Sequence, residues 1–273
     1  MTSFEGKNVL ITGCASGIGR LMAYKIAARG GHVIMWDINL DGLEEVGEQL
    51  ERWGYHASPY RCDLSDAESI QETAERVLIE HGTVDVVINN AGVVSGKSLL
   101  DLSDEAIRQT FDINTLSLFW TTRAFLPHMI TKGQGHIVTI ASAGGLIGVP
   151  NLSDYSASKF AAVGFDESLR VELKAQGHNG IRTTVACPYY INTGMFDGVQ
   201  TRFPRLLPIM EAEEAAGKIV EAIEKNKQRL IMPPFAYITF PGRLLPLPIF
   251  DWVATFFGIN NSMDDFKGRG DHK

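Results

Sequence analysis

The sequence predicts an α/β fold with one doubly wound parallel sheet of about seven strands and helices on both faces. From the N-terminus to Cys187, short apolar runs rich in Val and Ile alternate with longer amphipathic segments. Such runs are typical of parallel strands buried on both faces, and the segments between them have the length of helices. The composition, 45% hydrophobic and 21% charged over 273 residues, is that of an ordinary globular protein. We therefore expect residues 1–273 to form a single domain.

Six strand candidates lie in the first part of the chain: Asn8–Thr12, His32–Asp37, Ser58–Cys62, Val84–Asn89, His136–Ile140 and Ile181–Cys187. The segment after the first strand predicts a helix, because Ile18, Met22 and Ile26 recur at the spacing of one helix face. A later helix is expected over Glu211–Lys225, followed by a short strand near Leu230–Met232. This alternation predicts βαβ units, which make neighbouring strands parallel.

The C-terminal part of the chain has a different composition. Five of the 11 prolines lie between Pro233 and Pro248, and seven aromatic residues lie between Phe235 and Phe257. Segments broken by proline do not extend a sheet, so we expect a substrate loop and an apolar cap near residues 189–258. Within it, Ile249–Ile259 is open to three interpretations: a substrate lid, an oligomer contact, or an amphipathic helix that docks on a membrane surface.

Charge and cysteine content exclude several classes of protein. With 25 Lys and Arg against 32 Asp and Glu, the net charge is −7, which argues against a nucleic-acid partner. Cys14, Cys62 and Cys187 imply no disulfide framework, and the seven histidines lack metal-ligand spacing, so we expect no metal. Neither a signal peptide nor an apolar run long enough to span a bilayer is found. These observations predict a cytoplasmic protein and leave open a peripheral membrane contact through the C-terminal segment.

A glycine-rich motif follows the first strand and opens the first helix. It reads Thr12-Gly13-Cys14-Ala15-Ser16-Gly17-Ile18-Gly19. Glycines allow a tight turn and a close approach of backbone to a pyrophosphate, while the N–H groups at the helix N-terminus favour the anion. The motif therefore predicts a Rossmann-type dinucleotide site. The alternative, a plain glycine-rich turn, is less favoured because a strand and a helix flank the motif.

Asp37 ends the second strand, beyond the helix that the glycine-rich motif opens. A carboxylate at this place accepts hydrogen bonds from both ribose hydroxyls and repels a 2′-phosphate. Neither Ser16 nor Ile38, the local positions that could face such a phosphate, is basic. The sequence thus predicts NAD in preference to NADP. The alternative is that Asp37 only starts the turn into the next helix.

Tyr155 and Lys159 lie one helical turn apart at the start of a predicted helix, so their side chains share one face. A tyrosine with a pKa of about 10 is a poor base at neutral pH. A nearby ammonium and a positively charged nicotinamide ring would lower that pKa. Ser142, upstream of Tyr155 at the end of a predicted strand, is placed to hydrogen-bond the reacting oxygen. On its own, a Tyr-x-x-x-Lys pair is more often an ordinary surface pair.

Several motifs occur together in order, and their combination is far more specific than any one of them. They are Thr12-Gly13-x-x-x-Gly17-x-Gly19, Asp63, Asn89-Asn90-Ala91-Gly92, Asn114, Ser142, Tyr155 and Lys159. Over about residues 5–200, the sequence resembles the short-chain dehydrogenase/reductase family. The resemblance implies an NAD(P)-dependent oxidoreductase, and a homodimer or homotetramer built through the two long helices around Asn114 and Tyr155.

The resemblance also implies a role for each matching residue. Tyr155 is expected to be the general acid/base, Lys159 to bind the nicotinamide ribose and depress the tyrosine pKa, and Ser142 to orient the substrate oxygen. Asn114 is expected to anchor a proton-relay water behind the lysine. The expected cofactor-binding residues are Gly13, Ser16, Gly17, Ile18, Gly19, Asp37, Asp63, Leu64, Asn90, Ala91, Gly92, Tyr155, Lys159, Pro188, Ile191 and Thr193.

One position departs from the family pattern and bears on the substrate. Where the family usually has Pro-Gly, this chain has Pro188-Tyr189, so Tyr189 is expected to line a bulkier, more apolar substrate site. Short matches in residues 89–97, 193–196 and 266–269 resemble the retinol dehydrogenase and long-chain alcohol branch. Together with the aromatic C-terminal segment, they predict a small lipophilic alcohol or carbonyl compound as substrate, such as a retinoid, a steroid or a fatty alcohol.

The sequence therefore predicts an enzyme that interconverts an alcohol and a ketone or aldehyde by hydride transfer, with NAD preferred. Two alternatives stay open. An acyl-thioester ketoreductase would use NADPH, which fits Asp37 poorly. A catalytically silent NAD-binding scaffold is weakened as an interpretation because all four expected catalytic positions are present.

Overall fold

The computed structural model describes residues 1–268, so Arg269, at the end of the third short match, lies outside the described residues. The strands are β1 (Asn8–Thr12), β2 (His32–Asp37), β3 (Ala57–Arg61), β4 (Val86–Asn89), β5 (Gly135–Ile140), β6 (Ile181–Pro188), β7 (Ile191–Asn192), β8 (Met210–Glu211) and β9 (Arg229–Met232). Seven of them form one sheet in the order β3-β2-β1-β4-β5-β6-β9, and every neighbouring pair is parallel. The predicted doubly wound sheet is confirmed.

The helices are α1 (Gly17–Ala27), α2 (Leu40–Arg52), α3 (Ala67–His81), α4 (Asp104–Phe111), α5 (Ser117–Lys132), α6 (Ser153–Ala175), α7 (Ala212–Glu224), α8 (Thr239–Gly242) and α9 (Leu247–Phe256). Apolar residues of α1, α2 and α7 pack in one cluster with the sheet, whereas those of α3, α5 and α6 pack in a second. Helices therefore cover both faces of the sheet, as predicted. No helix within residues 1–268 is long and apolar enough to cross a membrane.

Local sequence explains where several helices begin. Asn39, Asp66 and Ser103 each precede a helix, and their side-chain oxygens accept hydrogen bonds from backbone N–H groups of the first turn. These are the residue types that cap helices best. Between α4 and α5 the chain is π-helical over Asp112–Leu116. Such segments are rare and are frequent at functional sites.

The C-terminal part departs from the sheet after β9. The helix expected over Glu211–Lys225 is α7, and the strand expected near Leu230–Met232 is β9. Beyond β9 the chain forms only short helical segments within the described residues, and these do not join the sheet. The segment Ile249–Ile259 overlaps α9, which begins at Leu247 and ends at Phe256.

The topology decides where a ligand site can form. After β3 the chain returns to the other side of β1, so β1 and β4 are neighbours at the point where the strand order reverses. Ligands of open α/β sheets bind in the crevice at the carboxyl ends of the strands beside such a point. Gly13, Asp37, Asn90, Ser142 and Pro188 all lie at or just beyond the carboxyl ends of sheet strands. One crevice can therefore collect them.

Candidate active site

A cavity of about 350 Å³ lies at the carboxyl ends of the strands, and we call it the first cavity. Every residue predicted to bind the cofactor lines it: Gly13, Ser16, Gly17, Ile18, Gly19, Asp37, Asp63, Leu64, Asn90, Ala91, Gly92, Tyr155, Lys159, Pro188, Ile191 and Thr193. Residues that sequence reasoning missed also line it, among them Val93, Ile113, Met195 and Phe196. These residues are far apart in the sequence, so the cavity forms only when the sheet brings the ends of its strands together.

At two positions of the glycine-rich loop, other parts of the backbone come so close that only glycine fits. Gly13 has a φ of +68°, and a Cβ there would lie 2.8 Å from the Cα of Ala91. A Cβ on Gly19 would lie 2.1 Å from the carbonyl oxygen of Gly13. The loop after β4 is bonded to the glycine loop as well, since the Asn90 side-chain amide donates to the Thr12 carbonyl at 2.8 Å. The two loops therefore form one rigid wall.

Backbone hydrogen bonds hold the Asp37 carboxylate in the wall of the first cavity, near the N-terminus of α1. Asp37 accepts hydrogen bonds from the backbone N–H groups of Ala15 (2.9 Å) and Asn39 (3.0 Å). Asn39, not Asp37, caps α2, although Asp37 holds the turn before it. The first turn of α1 carries no acidic residue, so its N-terminus can attract an anion.

These features fit a dinucleotide. Gly13 and Gly19 allow the tight turn that leads into the N-terminus of α1, where a pyrophosphate can bind, and Asp37 offers a carboxylate for a ribose. The side-chain carbonyl oxygen of Asn90 is buried without a hydrogen-bond partner among the described residues and lines the same cavity. Buried acceptors are normally satisfied, so a donor of the ligand would complete this site.

Ser142, Tyr155 and Lys159 come together as predicted, and all three are buried. Ser142 follows β5, and its hydroxyl accepts a hydrogen bond from the Gly144 N–H at 3.0 Å. The Ser142 hydroxyl also donates to the Pro188 carbonyl at 3.5 Å, and both Ser142 and Tyr155 line the first cavity. The Lys159 ammonium lies 5.8 Å from the centre of the Tyr155 ring and donates to the Ile140 carbonyl at 2.9 Å. The alternative of an exposed Tyr and Lys pair is thereby excluded.

Burial changes the acidity of the two titratable groups in opposite directions. It raises the pKa of Tyr155 to about 12, although the hydrogen bond from Ser142 lowers it. Burial lowers the pKa of Lys159 to about 8. The sequence predicts a lowered pKa for Tyr155. In the protein chain alone its pKa is raised instead, because burial removes the water that would stabilise the phenolate. The depression expected from Lys159 together with a bound, positively charged nicotinamide ring stays a prediction.

Asn114 lies in the π-helical segment and is buried behind Lys159. Its side-chain amide donates to the Val93 carbonyl (2.9 Å) and to the Ser158 hydroxyl (3.0 Å), and its oxygen accepts from the Val93 N–H (2.8 Å). A Cβ on Gly92 would lie 3.3 Å from both the Asn114 oxygen and the Lys159 ammonium. Asn114 therefore ties the loop after β4 to α6, while its role toward a water molecule stays a prediction.

A second cavity of about 410 Å³ opens on the other side of Tyr155. Residues of the cap, such as Phe235, Phe250, Val253 and Phe257, form much of its wall. The residues that line both cavities are Ser142, Tyr155, Tyr189 and Phe196. The predicted substrate-binding residues thus lie where the two cavities meet. The aromatic composition of the C-terminal segment indicated a cap, but no pattern showed which side chains would face inward.

Comparisons with known proteins agree with this geometry. A sequence profile described as short chain dehydrogenase matches residues 7–202. Epidermal retinol dehydrogenase 2 of Homo sapiens is 46% identical over 265 residues, which cover 96% of this chain and 85% of that protein. A short chain dehydrogenase/reductase from Burkholderia phymatum, solved in complex with NAD, matches with a TM-score of 0.82 and 27% identity, over 91% of this chain and 96% of that one. A metagenomic short-chain oxidoreductase in complex with NADP has a TM-score of 0.70 and 27% identity, over 84% and 96%.

Proposed function

This chain belongs to the short-chain dehydrogenase family, and on that premise we propose that it interconverts a lipophilic alcohol and its ketone or aldehyde, with NAD preferred. The observation that carries the proposal is the meeting of the two cavities at Ser142 and Tyr155. The first cavity, which the expected cofactor residues line, and a more apolar cavity of similar size share those two hydroxyl groups. The family comprises oxidoreductases that act on CH–OH groups with NAD or NADP.

The protein side chains divide the chemistry of alcohol oxidation between them. Ser142 donates to the substrate oxygen and fixes its position, and Tyr155 removes the proton from the substrate hydroxyl. Lys159, as a cation, stabilises the phenolate form of Tyr155. NAD, when bound, supplies the acceptor for the hydride that leaves the alcohol carbon. In the reverse direction Tyr155 returns its proton to the carbonyl oxygen.

The preference for NAD is supported by the charges around Asp37. Lys159 is the one basic side chain among the described residues that line the first cavity, and it lies at the catalytic end. A 2′-phosphate beside Asp37 would meet a carboxylate and no cation of that lining. Titration with NADH and NADPH tests this preference. We expect NADH to bind more tightly, and Asp37→Ala should reduce the difference between the two dissociation constants. Tighter binding of NADPH by the unchanged protein would favour the ketoreductase alternative.

The apolar second cavity supports a lipophilic substrate. None of the described residues that line it carries a charge. Its hydroxyl groups belong mainly to Ser142, Tyr155, Tyr189 and Tyr190. Incubation with NAD and a panel of retinoids, steroids, fatty alcohols and small polyols, read by NADH absorbance, tests the class. We expect turnover of the lipophilic alcohols. Preference for the polyols would overturn the substrate assignment.

We also propose that the protein is cytoplasmic and docks peripherally on a lipid surface through the outer face of the cap. Leu244, Leu247 and Trp252 are 87%, 74% and 67% exposed. Ile238 and Leu245 are exposed and also line the second cavity, so the cavity opens onto this apolar face. A lipophilic substrate could then enter from the lipid without crossing water.

Flotation with phosphatidylcholine vesicles tests the docking. We expect the protein to float with the vesicles, and replacement of Leu244, Leu247 and Trp252 by Ser to abolish flotation. Ile79→Ser is the matched control, because Ile79 is 84% exposed but lies in α3. If the triple variant floats as well as the unchanged protein, the cap does not hold the lipid.

A homo-oligomer through α5 and α6 is part of the proposal. Phe119 of α5 is exposed and packs on Phe165 of α6, with ring centres 4.8 Å apart, and Val171 of α6 is exposed too. An apolar face across two long helices suits a self-complementary dimer interface. Light scattering should give a dimer or tetramer, and Phe119→Glu should yield monomer. A monomeric unchanged protein would refute this part alone.

A further inference from the structure

The C-terminal tail, residues 261–268, is hydrogen-bonded to the loop that lines both cavities, residues 193–200, which we call the substrate loop. The Gln200 N–H donates to the Ser262 carbonyl at 3.1 Å, and the Lys267 N–H donates to the Asp197 carbonyl at 2.8 Å. The Gln200 side-chain amide donates to the Asp265 carboxylate at 2.7 Å. The tail therefore holds the substrate loop at two places along its length.

The ring of Phe266 joins this loop to a second loop. Gly96, in the loop after β4, has a φ of +65°, and a Cβ there would lie 1.9 Å from the Phe266 ring. On its other side, the Phe266 ring centre lies 6.3 Å from that of Phe196 in the substrate loop. One aromatic ring of the tail thus lies between two loops that flank the candidate active site.

The tail reaches the catalytic tyrosine by two routes. Phe196 packs edge-on against Tyr155, with ring centres 5.7 Å apart and an interplanar angle of 81°. Phe196 also contacts Tyr190 at 5.1 Å, and the Tyr190 hydroxyl is 2.9 Å from the Ser262 hydroxyl. Met263 of the tail is buried in the same apolar cluster as Tyr155. The tail, the substrate loop and the catalytic tyrosine are therefore one packed unit.

We propose that the tail is a clasp that keeps the substrate loop ordered over the site, with Phe266 as its positioning residue. A loop that is already ordered loses less conformational entropy when ligand binds, so ligand binds more tightly. Among the described residues, Phe266 lines neither cavity, so we expect the proton-transfer step itself not to depend on it. The kinetic part of this inference rests on the proposed function; the ordering of the loop does not.

The test compares Phe266→Ala with the unchanged full-length chain by hydrogen exchange and by kinetics. We expect faster amide exchange in residues 193–200, with β1 to β5 unchanged, because the hydrogen bonds to the tail open more often. At saturating NAD, the KM of the alcohol should rise by about tenfold while kcat changes by less than about twofold. Phe266→Leu should restore most of both values. Trp53→Ala, which removes an aromatic partner of Tyr24 far from the site, should change neither.

A second variant approaches the same contact from the other side. Gly96→Ala should displace the Phe266 ring and raise both the exchange rate and the KM. In a Phe266→Ala background the same substitution should cost less, because the clash has been removed. Unchanged exchange in residues 193–200 in both single variants would overturn the clasp. If no alcohol is turned over at all, the proposed function fails, and the exchange experiment still decides whether the clasp exists.

Discussion

The two cavities that meet at Tyr155 are built in different ways. The first is walled mainly by loops that directly follow sheet strands, and its lining includes several glycines and alanines, such as Gly13 and Ala91. The second is walled by large apolar side chains, many from the cap beyond β9, such as Phe250 and Val253. The cofactor side therefore depends on backbone paths that few residues can follow. The substrate side depends on how much apolar volume the cap supplies, which many sequences can provide.

The most direct test of this comparison is the junction itself. Tyr155→Phe keeps the ring in both walls but removes the hydroxyl that we propose exchanges a proton with substrate. We expect turnover to fall by about 10²- to 10⁴-fold, the usual contribution of a general acid/base, while the NAD dissociation constant stays the same. Tyr24→Phe, in α1, serves as control. If turnover survives, the mechanism is wrong; if NAD binding is lost too, the two cavities are not separable.

The second test uses the pH dependence of the same junction. At pH 7 Lys159, with its pKa lowered to about 8, is mostly a cation and favours the phenolate of Tyr155. Lys159→Met removes that charge, so the Tyr155 pKa should rise further. We expect kcat/KM for oxidation at pH 7 to fall by about ten- to a hundredfold, and its rising limb to move to higher pH. A limb at the same pH in both proteins would show that Lys159 does not act on the tyrosine.

The third test addresses the backbone-built wall alone. In Gly19→Ala, the new Cβ would lie 2.1 Å from the Gly13 carbonyl oxygen, so the glycine loop has to shift. Such overpacking costs about 1–3 kcal/mol, and we expect NAD to bind about ten- to a hundredfold more weakly. The matched control is Gly47→Ala in α2, where the new Cβ meets only the Met35 side chain at 3.7 Å. Calorimetric titration with NADH measures both, and equal affinities would contradict the rigid wall.

A smaller effect is expected in the wall made of side chains. Phe250 lines only the second cavity, so Phe250→Ala should raise the KM of a lipophilic alcohol by about tenfold, from lost apolar contact of roughly 1–2 kcal/mol. NAD affinity should not change, because the first cavity lacks this residue. Phe240→Ala makes the same deletion in the cap outside both cavities. A matching loss of NAD affinity in Phe250→Ala would show that the two regions are coupled.

The strands predicted most accurately are those in which the local pattern of apolar residues matches their burial in the folded sheet. The bounds of β1 and β2 were predicted without error, because each is a buried apolar run with a polar residue at either end. The strand expected to start at Val84 begins at Val86. Asp85, inside the predicted run, instead pairs with Lys7 and Lys132. A charged residue with two cationic partners from other segments is not visible in a local pattern.

The candidate site likewise contains residues that sequence motifs could predict and residues that only tertiary packing places. Many of the residues that line the first cavity could be chosen from motifs, since strand ends in a parallel sheet converge on one edge whatever the rest of the chain does. Phe196 could not, because its place is set by Tyr155, Tyr190 and Phe266, two of which are far from it in sequence. The burial of Tyr155, which raises its pKa in the protein chain alone, could not be predicted either, since burial depends on the closed site rather than on the spacing of Tyr155 and Lys159.

Sequence alone was sufficient for the sheet, the glycine loop, the acidic residue of the second strand and the Ser–Tyr–Lys group, because each depends on short-range pattern or on motif spacing. How the cap and the tail close the site is a matter of tertiary packing. Proline-broken, aromatic segments have no periodicity that fixes their path, so their positions follow from contacts with surfaces formed elsewhere in the chain. The second cavity and the contact of Phe266 with Gly96 are therefore properties of the folded protein.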